Sequence, residues 1–150
     1  MDEKVDFKSA HSLEEERLDE ILGGRANSPY FKHLGMKIHS LSRGAATIRI
    51  SVGHRLWNVG GVVHGGAIAS AAETAGSLAL ATLLDLRTAR PVTVEMKVNF
   101  LFPLRDGILE ARGKVVHKGR NIAVCDMDVY DGEKRLIARC TGTYKLMKID

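Results

Sequence analysis

The chain has 150 residues, 45% of them hydrophobic, a formal net charge of +4 and a pI near 9.2. This length fits one domain with a real core, and no apolar stretch is long enough for a membrane span. The positive charge suits a polyanion, nucleotide phosphates and nucleic acid alike, and does not choose between them.

Met1-Asp2-Glu3-Lys4 opens with charge in place of an apolar signal region, so the cytoplasm is the expected location. Ser12-Leu13-Glu14-Glu15 forms a capping-box pattern that starts a charged helix ending at Gly23-Gly24. Its Leu13, Leu18, Ile21 and Leu22 would dock this extension, residues 1–28, on a domain formed by residues 29–150. Met36 to Ser51 reads as two short strands joined near Arg43-Gly44, with Ala46, Ile48 and Ile50 alternating against Thr47, Arg49 and Ser51. A loop from Gly53 to His64 leads to a proline-free, alanine-rich segment, Ala67 to Leu84, apolar on every side and therefore a buried helix.

After Pro91, Val92, Val94, Met96, Val98 and Phe100 alternate with Thr93, Glu95, Lys97 and Asn99, the clearest period-2 pattern in the chain. Three more strands follow, Ile108 to His117, Asn121 to Tyr130 and Lys134 to Met147, with turns at Lys118-Gly119 and Asp131-Gly132. Cys125 and Cys140 lie among apolar strand residues without metal-ligand spacing and read as buried free thiols in a reducing compartment. Asp126 and Asp128 alternate with Cys125, Met127 and Val129, which marks an exposed strand face, not a carboxylate dyad. One long helix followed by an antiparallel meander predicts an α+β fold with the sheet wrapped around the helix.

The chemistry concentrates in Asn58-Val59-Gly60-Gly61-Val62-Val63-His64-Gly65-Gly66 and the helix that follows. Gly65-Gly66 leaves unpaired backbone N–H groups at the positive end of the helix, and glycine lets a carbonyl come close to them. That is the construction of an oxyanion hole. Gly66, Ser70, Glu73 and Ser77 recur at offsets of four, three and four, so they share one stripe of the helix. A carboxylate on that stripe is costly to desolvate unless donors hold it, the usual condition of a catalytic acid or base. Glu73 is the first candidate.

The spacing of Asn58, Gly60 or Gly61, His64-Gly65-Gly66 and Glu73, nine positions after the histidine, resembles the hotdog-fold acyl-CoA thioesterases of the phenylacetate-pathway and 4-hydroxybenzoyl-CoA type. The resemblance spans roughly residues 29 to 147. It implies a long central helix wrapped by a curved antiparallel sheet, hydrolysis of acyl-CoA to free acid and CoA, and no cofactor beyond the CoA of the substrate. Glu73 would be nucleophile or general base, with Gly65 N–H as the oxyanion donor. Asn58 would hold the substrate carbonyl or the water, Thr93 would orient that water, and Ser77 would support the acid or the substrate from one turn away. His64 would fix the loop before Gly66, and Lys118, Gly119 and Arg120 would meet the nucleotide phosphates. On residue type alone, Asn58 fits a turn cap equally well, and Lys118 and Arg120 fit a solvated hairpin end.

Gly65 and Glu73 lie about 12 Å apart along one helix axis, too far to act on one carbonyl. A two-fold dimer that sets Gly65 of one subunit against Glu73 of the other resolves this. A homodimer is therefore expected, and the family resemblance extends the expectation to a homotetramer. No G-x-S-x-G elbow, phosphate loop, H-E-x-x-H or C-x-x-C is present, so a serine hydrolase, a nucleotide hydrolase and a metal centre are not expected. Two rivals share the fold: a hydratase or dehydratase acting on hydroxyacyl thioesters, and a non-catalytic acyl-CoA sensor. The first pairs a histidine with an acid at other spacings, and the second needs a DNA-binding module larger than one helix. Neither nucleic-acid binding nor membrane insertion is expected.

Overall fold

The computed structural model describes residues 20–150. A π-helical turn, Ile21–Arg25, precedes helix α1, Pro29–His33, and strands β1, Met36–Ser42, and β2, Ala45–Val52. A 3₁₀ turn, His54–Leu56, leads to helix α2, Gly65–Ala81. Strands β3, Ala89–Phe100, β4, Gly107–Lys118, β5, Ile122–Tyr130, and β6, Leu136–Lys148, complete the chain. They form one antiparallel sheet in the order β1-β2-β4-β5-β6-β3, with α2 packed across it. This is the expected α+β hotdog architecture.

The β1–β2 hairpin turns at Arg43-Gly44, where Gly44 takes a φ of +77° that a side chain would disfavour. Ala46, Ile48 and Ile50 point into the core while Arg49 and Ser51 are exposed, as the alternation requires. At the β5–β6 turn the left-handed residue is Lys134, not Gly132. The Asp131 carboxylate organises that turn by accepting from the backbone N–H groups of Glu133 and Arg135 at 2.9 and 2.8 Å. Asp128 pairs with Arg139 and Asp126 with the Thr141 hydroxyl on the outer face of the sheet. Cys125 and Cys140 are buried and free, and burial pushes their thiols up to about 12 and about 11.

α2 starts two residues before Ala67 and stops three before Leu84. Its beginning is set by His64, which caps it, and its end by Thr82, whose hydroxyl donates back to the Ala79 carbonyl at 2.6 Å. Ala71, Ala72, Ala75, Leu78 and Ala79 are buried against the sheet. The approach is close because glycines face it: a Cβ on Gly113 of β4 would collide with the Ala75 carbonyl, and one on Gly76 would meet the Tyr144 hydroxyl at 2.5 Å. Gly113→Ala is expected to destabilise the fold by about 2–3 kcal/mol, since backbone and not a flexible side chain must yield. A lower urea midpoint with an unchanged m-value would show it.

The period-2 pattern of β3 is interrupted. Thr93 pairs with Tyr144 and Glu95 with Thr143, so Val94 is an extra residue, a β-bulge. Cross-strand partners share a face. Thr93 therefore points inward with the fully buried Tyr144, and Val92, expected beside Met96, Val98 and Phe100, lies on the opposite face. Through the bulge Thr93 shares the inner face with Met96.

Ser12 to Glu15, Leu13, Leu18 and the Leu22 side chain lie outside the described residues. Ile21 is buried in the core as expected. The helical path passes through Gly23-Gly24 as a π turn and closes at Arg25, where Ala26 N–H reaches the Ile21 carbonyl. Helix α1, not anticipated, has its signal in Ser28-Pro29: the Ser28 hydroxyl accepts from Phe31 N–H and Pro29 occupies the first helical position.

Candidate active site

The loop before α2 is shaped by its own side chains. Asn58 Oδ1 accepts from Gly60 N–H at 2.8 Å and Val62 N–H at 3.4 Å, and Asn58 N–H closes the turn on the Val62 carbonyl. Gly61 supplies the left-handed residue of this turn, with φ +73°. Asn58 is thus a turn cap, and its amide is oriented so that Nδ2 remains the group able to donate outward. Val63 and His64 N–H groups bond to the Leu104 and Leu56 carbonyls, which pins the loop to its neighbours.

His64 is the N-cap of α2, and its Nδ1 accepts from Gly66 N–H at 2.8 Å. This separates the two glycines that sequence treats as equivalent. Gly66 N–H is spent on the cap, whereas Gly65 N–H donates to no protein acceptor among the described residues. Gly65 also sits under the end of β3, where an added Cβ would lie 3.2 Å from Phe100 Cζ. An unspent donor at a helix N-terminus is poised for a partially negative oxygen.

Two turns along α2, Glu73 Oε1 accepts a 2.5 Å hydrogen bond from the Thr93 hydroxyl of β3. Its other oxygen takes no protein donor among the described residues, so one oxygen orients the carboxylate and the second faces outward. Glu73 is half-buried, not enclosed as the apolar helix suggested. The sheet covers the alanine side of α2 and leaves the polar stripe on its open side, next to edge strand β3. Below it, the Tyr144 hydroxyl donates to the Glu73 backbone carbonyl at 3.1 Å, and burial holds that phenol well above its ordinary range.

The remaining stripe residues are met by the N-terminal segment. Ser70 Oγ donates to the Gly66 carbonyl and shares a 2.9 Å hydrogen bond with the Tyr30 hydroxyl. Ser77 Oγ accepts from Arg25 Nη1 at 3.1 Å. Burial lowers the guanidinium affinity of Arg25 for its proton, and the nearby Glu73 charge opposes that effect. Arg25, Tyr30 and Tyr144 were missed by sequence reasoning. Tyr144 continues the strand alternation of β6, but nothing local marks the other two as neighbours of residues 40 and 52 positions away.

Lys118, Gly119 and Arg120 do not join this cluster. They form the β4–β5 turn, where Gly119 N–H bonds to the Ile122 carbonyl. Lys118 and Arg120 line a cleft of about 480 Å³ past the C-terminal end of α2, together with Leu83, Leu84, Leu146 and Lys148. That cleft lies about 16 Å along the helix direction from Glu73.

Thr93→Val is expected to lower kcat for thioester hydrolysis about tenfold with a smaller change in KM, because it removes the donor that orients Glu73 while preserving strand shape. Steady-state thiol release measures both constants.

A carboxylate oriented beside an edge strand, and one free N–H at the capped N-terminus of the same helix, make up the candidate site. Comparison with known proteins gives the family. The thioesterase superfamily model matches residues 60–138. A protein of Saccharolobus solfataricus whose name proposes an esterase is 33% identical over 114 residues, covering 76% of this chain and 75% of that protein. The crystal structure of a thioesterase from Haemophilus influenzae superposes with a TM-score of 0.78 at 28% identity, covering 94% of each chain. The PaaI protein of the E. coli phenylacetic acid degradation operon shares the fold, with a TM-score of 0.80, 24% identity and coverage of 93% of this chain and 97% of that one. The chain belongs to the thioesterase superfamily and is a hydrolase of acyl thioesters.

Proposed function

We propose that the substrate is an acyl-CoA, cleaved by water to the free acid and CoA, and that Glu73 carries the reaction. The observation behind this is the pairing of Glu73 with Thr93 on the open side of a helix whose Gly65 N–H remains unspent. Gly65 N–H polarises the thioester carbonyl and stabilises the tetrahedral oxyanion. Glu73 takes the proton of the attacking water, or attacks the carbonyl itself to give an anhydride that water then opens; in both routes the thiolate of CoA leaves. Asn58 Nδ2 donates to the carbonyl or the water from the Gly65 side. Gly66 and His64 fix the geometry of the helix start, and Ser77 closes the site one turn beyond Glu73. The cleft lined by Lys118 and Arg120, with the Gly119 turn between them, receives the nucleotide phosphates on those two cations; Leu83 and Leu84 supply apolar lining, and Asp85 and Asp150 also border it.

The site is shared between two subunits. β3 is an edge strand of twelve residues with Val92, Val94 and Phe100 exposed at 42%, 60% and 55%. An edge of that length and apolarity seeks a partner. Thr93 beside Glu73 and Phe100 beside Gly65 lie toward opposite ends of β3. Antiparallel pairing of two copies about a two-fold axis brings the Glu73 end of one subunit to the Gly65 end of the other, which supports a homodimer, with a homotetramer as a pair of such dimers. Among the described residues no helix is long and apolar enough to cross a membrane, and the cytoplasm is the location we propose for the reaction.

Release of free thiol from a panel of aryl and straight-chain acyl-CoAs tests this reading. Turnover that varies with the acyl group is expected. Tight acyl-CoA binding without thiol release would replace the enzyme with a sensor.

A further inference from the structure

Thr93 of β3 and Tyr144 of β6 are direct cross-strand partners on the inner face of the sheet. Both hydroxyls go to one residue of α2: Thr93 donates to the Glu73 carboxylate at 2.5 Å, and Tyr144 donates to the Glu73 main-chain carbonyl at 3.1 Å. A single strand pair thus holds Glu73 at two points, its side chain and its backbone.

The Tyr144 bond is not one that the helix needs. Glu73 lies in the middle of α2, where its carbonyl has the N–H of Ser77, four residues on, as its helical donor. A carbonyl carries two lone pairs, and the phenol takes the second. The fold nevertheless makes room for it. Tyr144 is fully buried, and its hydroxyl fits because residues 76 and 142 are glycines: a Cβ would come within 2.5 Å of the oxygen from Gly76 and 3.4 Å from Gly142. Burial, reinforced by the Glu73 charge, holds the phenol well above its ordinary range, so it stays a donor at neutral pH.

The other contacts that seat α2 here are less directional. Ala71, Ala72 and Ala75 pack on the sheet through small apolar side chains, which set depth and allow sliding. Cys125 Sγ adds a weak bond to the Gly76 carbonyl at 3.6 Å. A hydroxyl-to-carboxylate bond is lost with a displacement of about 1 Å, so the Thr93 contact survives only while α2 keeps its position along β3.

We propose that Tyr144 is a positioning residue for thioester hydrolysis: its bond to the Glu73 carbonyl sets α2 against β3 so that the Glu73 carboxylate meets the Thr93 hydroxyl. This rests on the reading of Glu73 as the group that carries the reaction.

Tyr144→Phe keeps the ring and removes the hydroxyl. Its thermal midpoint is expected to fall by about 4 °C, the scale of one hydrogen bond. Its kcat should fall about tenfold, as for Thr93→Val, with KM changed less than about twofold. Because both residues act through one contact, adding Tyr144→Phe to Thr93→Val should lower kcat by no more than about a further twofold. An unchanged kcat in Tyr144→Phe overturns the proposal. So does a loss repeated in full on the Thr93→Val background, since a general loosening of the fold acts whether or not Thr93 donates.

NMR supplies a readout independent of turnover. With glutamate labelled with 13C at the side-chain carboxyl, the resonance of residue 73 is the one missing from Glu73→Gln. At neutral pH it is expected to move in the same direction, and by a similar amount, in Thr93→Val and Tyr144→Phe. Movement in Thr93→Val alone overturns the proposal. If Glu73→Gln hydrolyses acyl-CoA as fast as the unaltered protein while the resonance moves in both variants, the catalytic reading fails and the positioning of the carboxylate by Tyr144 stands.

Discussion

Glutamine in place of Glu73 is expected to lower kcat for acyl-CoA hydrolysis about 10³-fold, within the range that a general base or carboxylate nucleophile supplies. The substitution is nearly isosteric. The amide oxygen can still accept from the Thr93 hydroxyl, and the Tyr144 bond goes to the backbone carbonyl of residue 73, which is unchanged. The thermal midpoint should therefore stay close to that of the unaltered protein, which separates lost chemistry from lost structure. Retention of more than a tenth of the rate, with melting unchanged, would remove Glu73 from the reaction.

The second large effect is expected from Gly65→Pro. Proline lacks the N–H proposed as oxyanion donor, yet position 65 is the first residue of α2, where proline is tolerated best. His64, at φ −59° and ψ 133°, already has the backbone conformation that a following proline demands. The new ring meets the Phe100 side chain, which is more than half exposed and has room to turn away. Loss of one oxyanion donor predicts a fall in kcat of about 10²- to 10³-fold in a protein that still folds. Co-expression of Gly65→Pro with Glu73→Gln then tests the shared site. If Glu73 of one subunit works with Gly65 of the other, each mixed dimer contains one intact site, and about a quarter of normal activity should return. Sites confined to single subunits would recover nothing.

Most of the strand framework was legible because hydrophobic alternation and turn residues are local signals. β1, β2, β4, β5 and β6 fall within a few residues of their expected limits, and α2 was marked by its alanines. The bulge at Val94 was not legible, because Val92 and Met96 stand two residues to either side of it and the written pattern continues unbroken while the faces exchange. Val92 alone lies on the outer face and Thr93 alone breaks the apolar run of the inner one, too few residues for hydrophobicity to report the change. The same bulge sends Thr93 toward Glu73, a contact that plain alternation forbids. The glycine pair shows a different limit: residue type alone offers two like N–H donors, the family resemblance selects Gly65, and the His64 cap shows that the Gly66 N–H is the spent one. Arg25 and Tyr30 escaped notice because their partners on α2 are distant in the chain, and a surface arginine and tyrosine carry no periodicity of their own.

The close seating of α2 on Gly113 fixes the helix that carries Glu73 with no room to spare. Enzyme engineers who want to alter the acyl range will gain little from randomising the sheet beneath the helix, since added volume there lifts the helix and the Glu73 carboxylate with it. Residues 25 to 30 contribute Arg25 and Tyr30 across the open side of the helix through two hydrogen bonds that involve no core residue. A small library at those positions would vary the open side of the helix while leaving the scaffold alone.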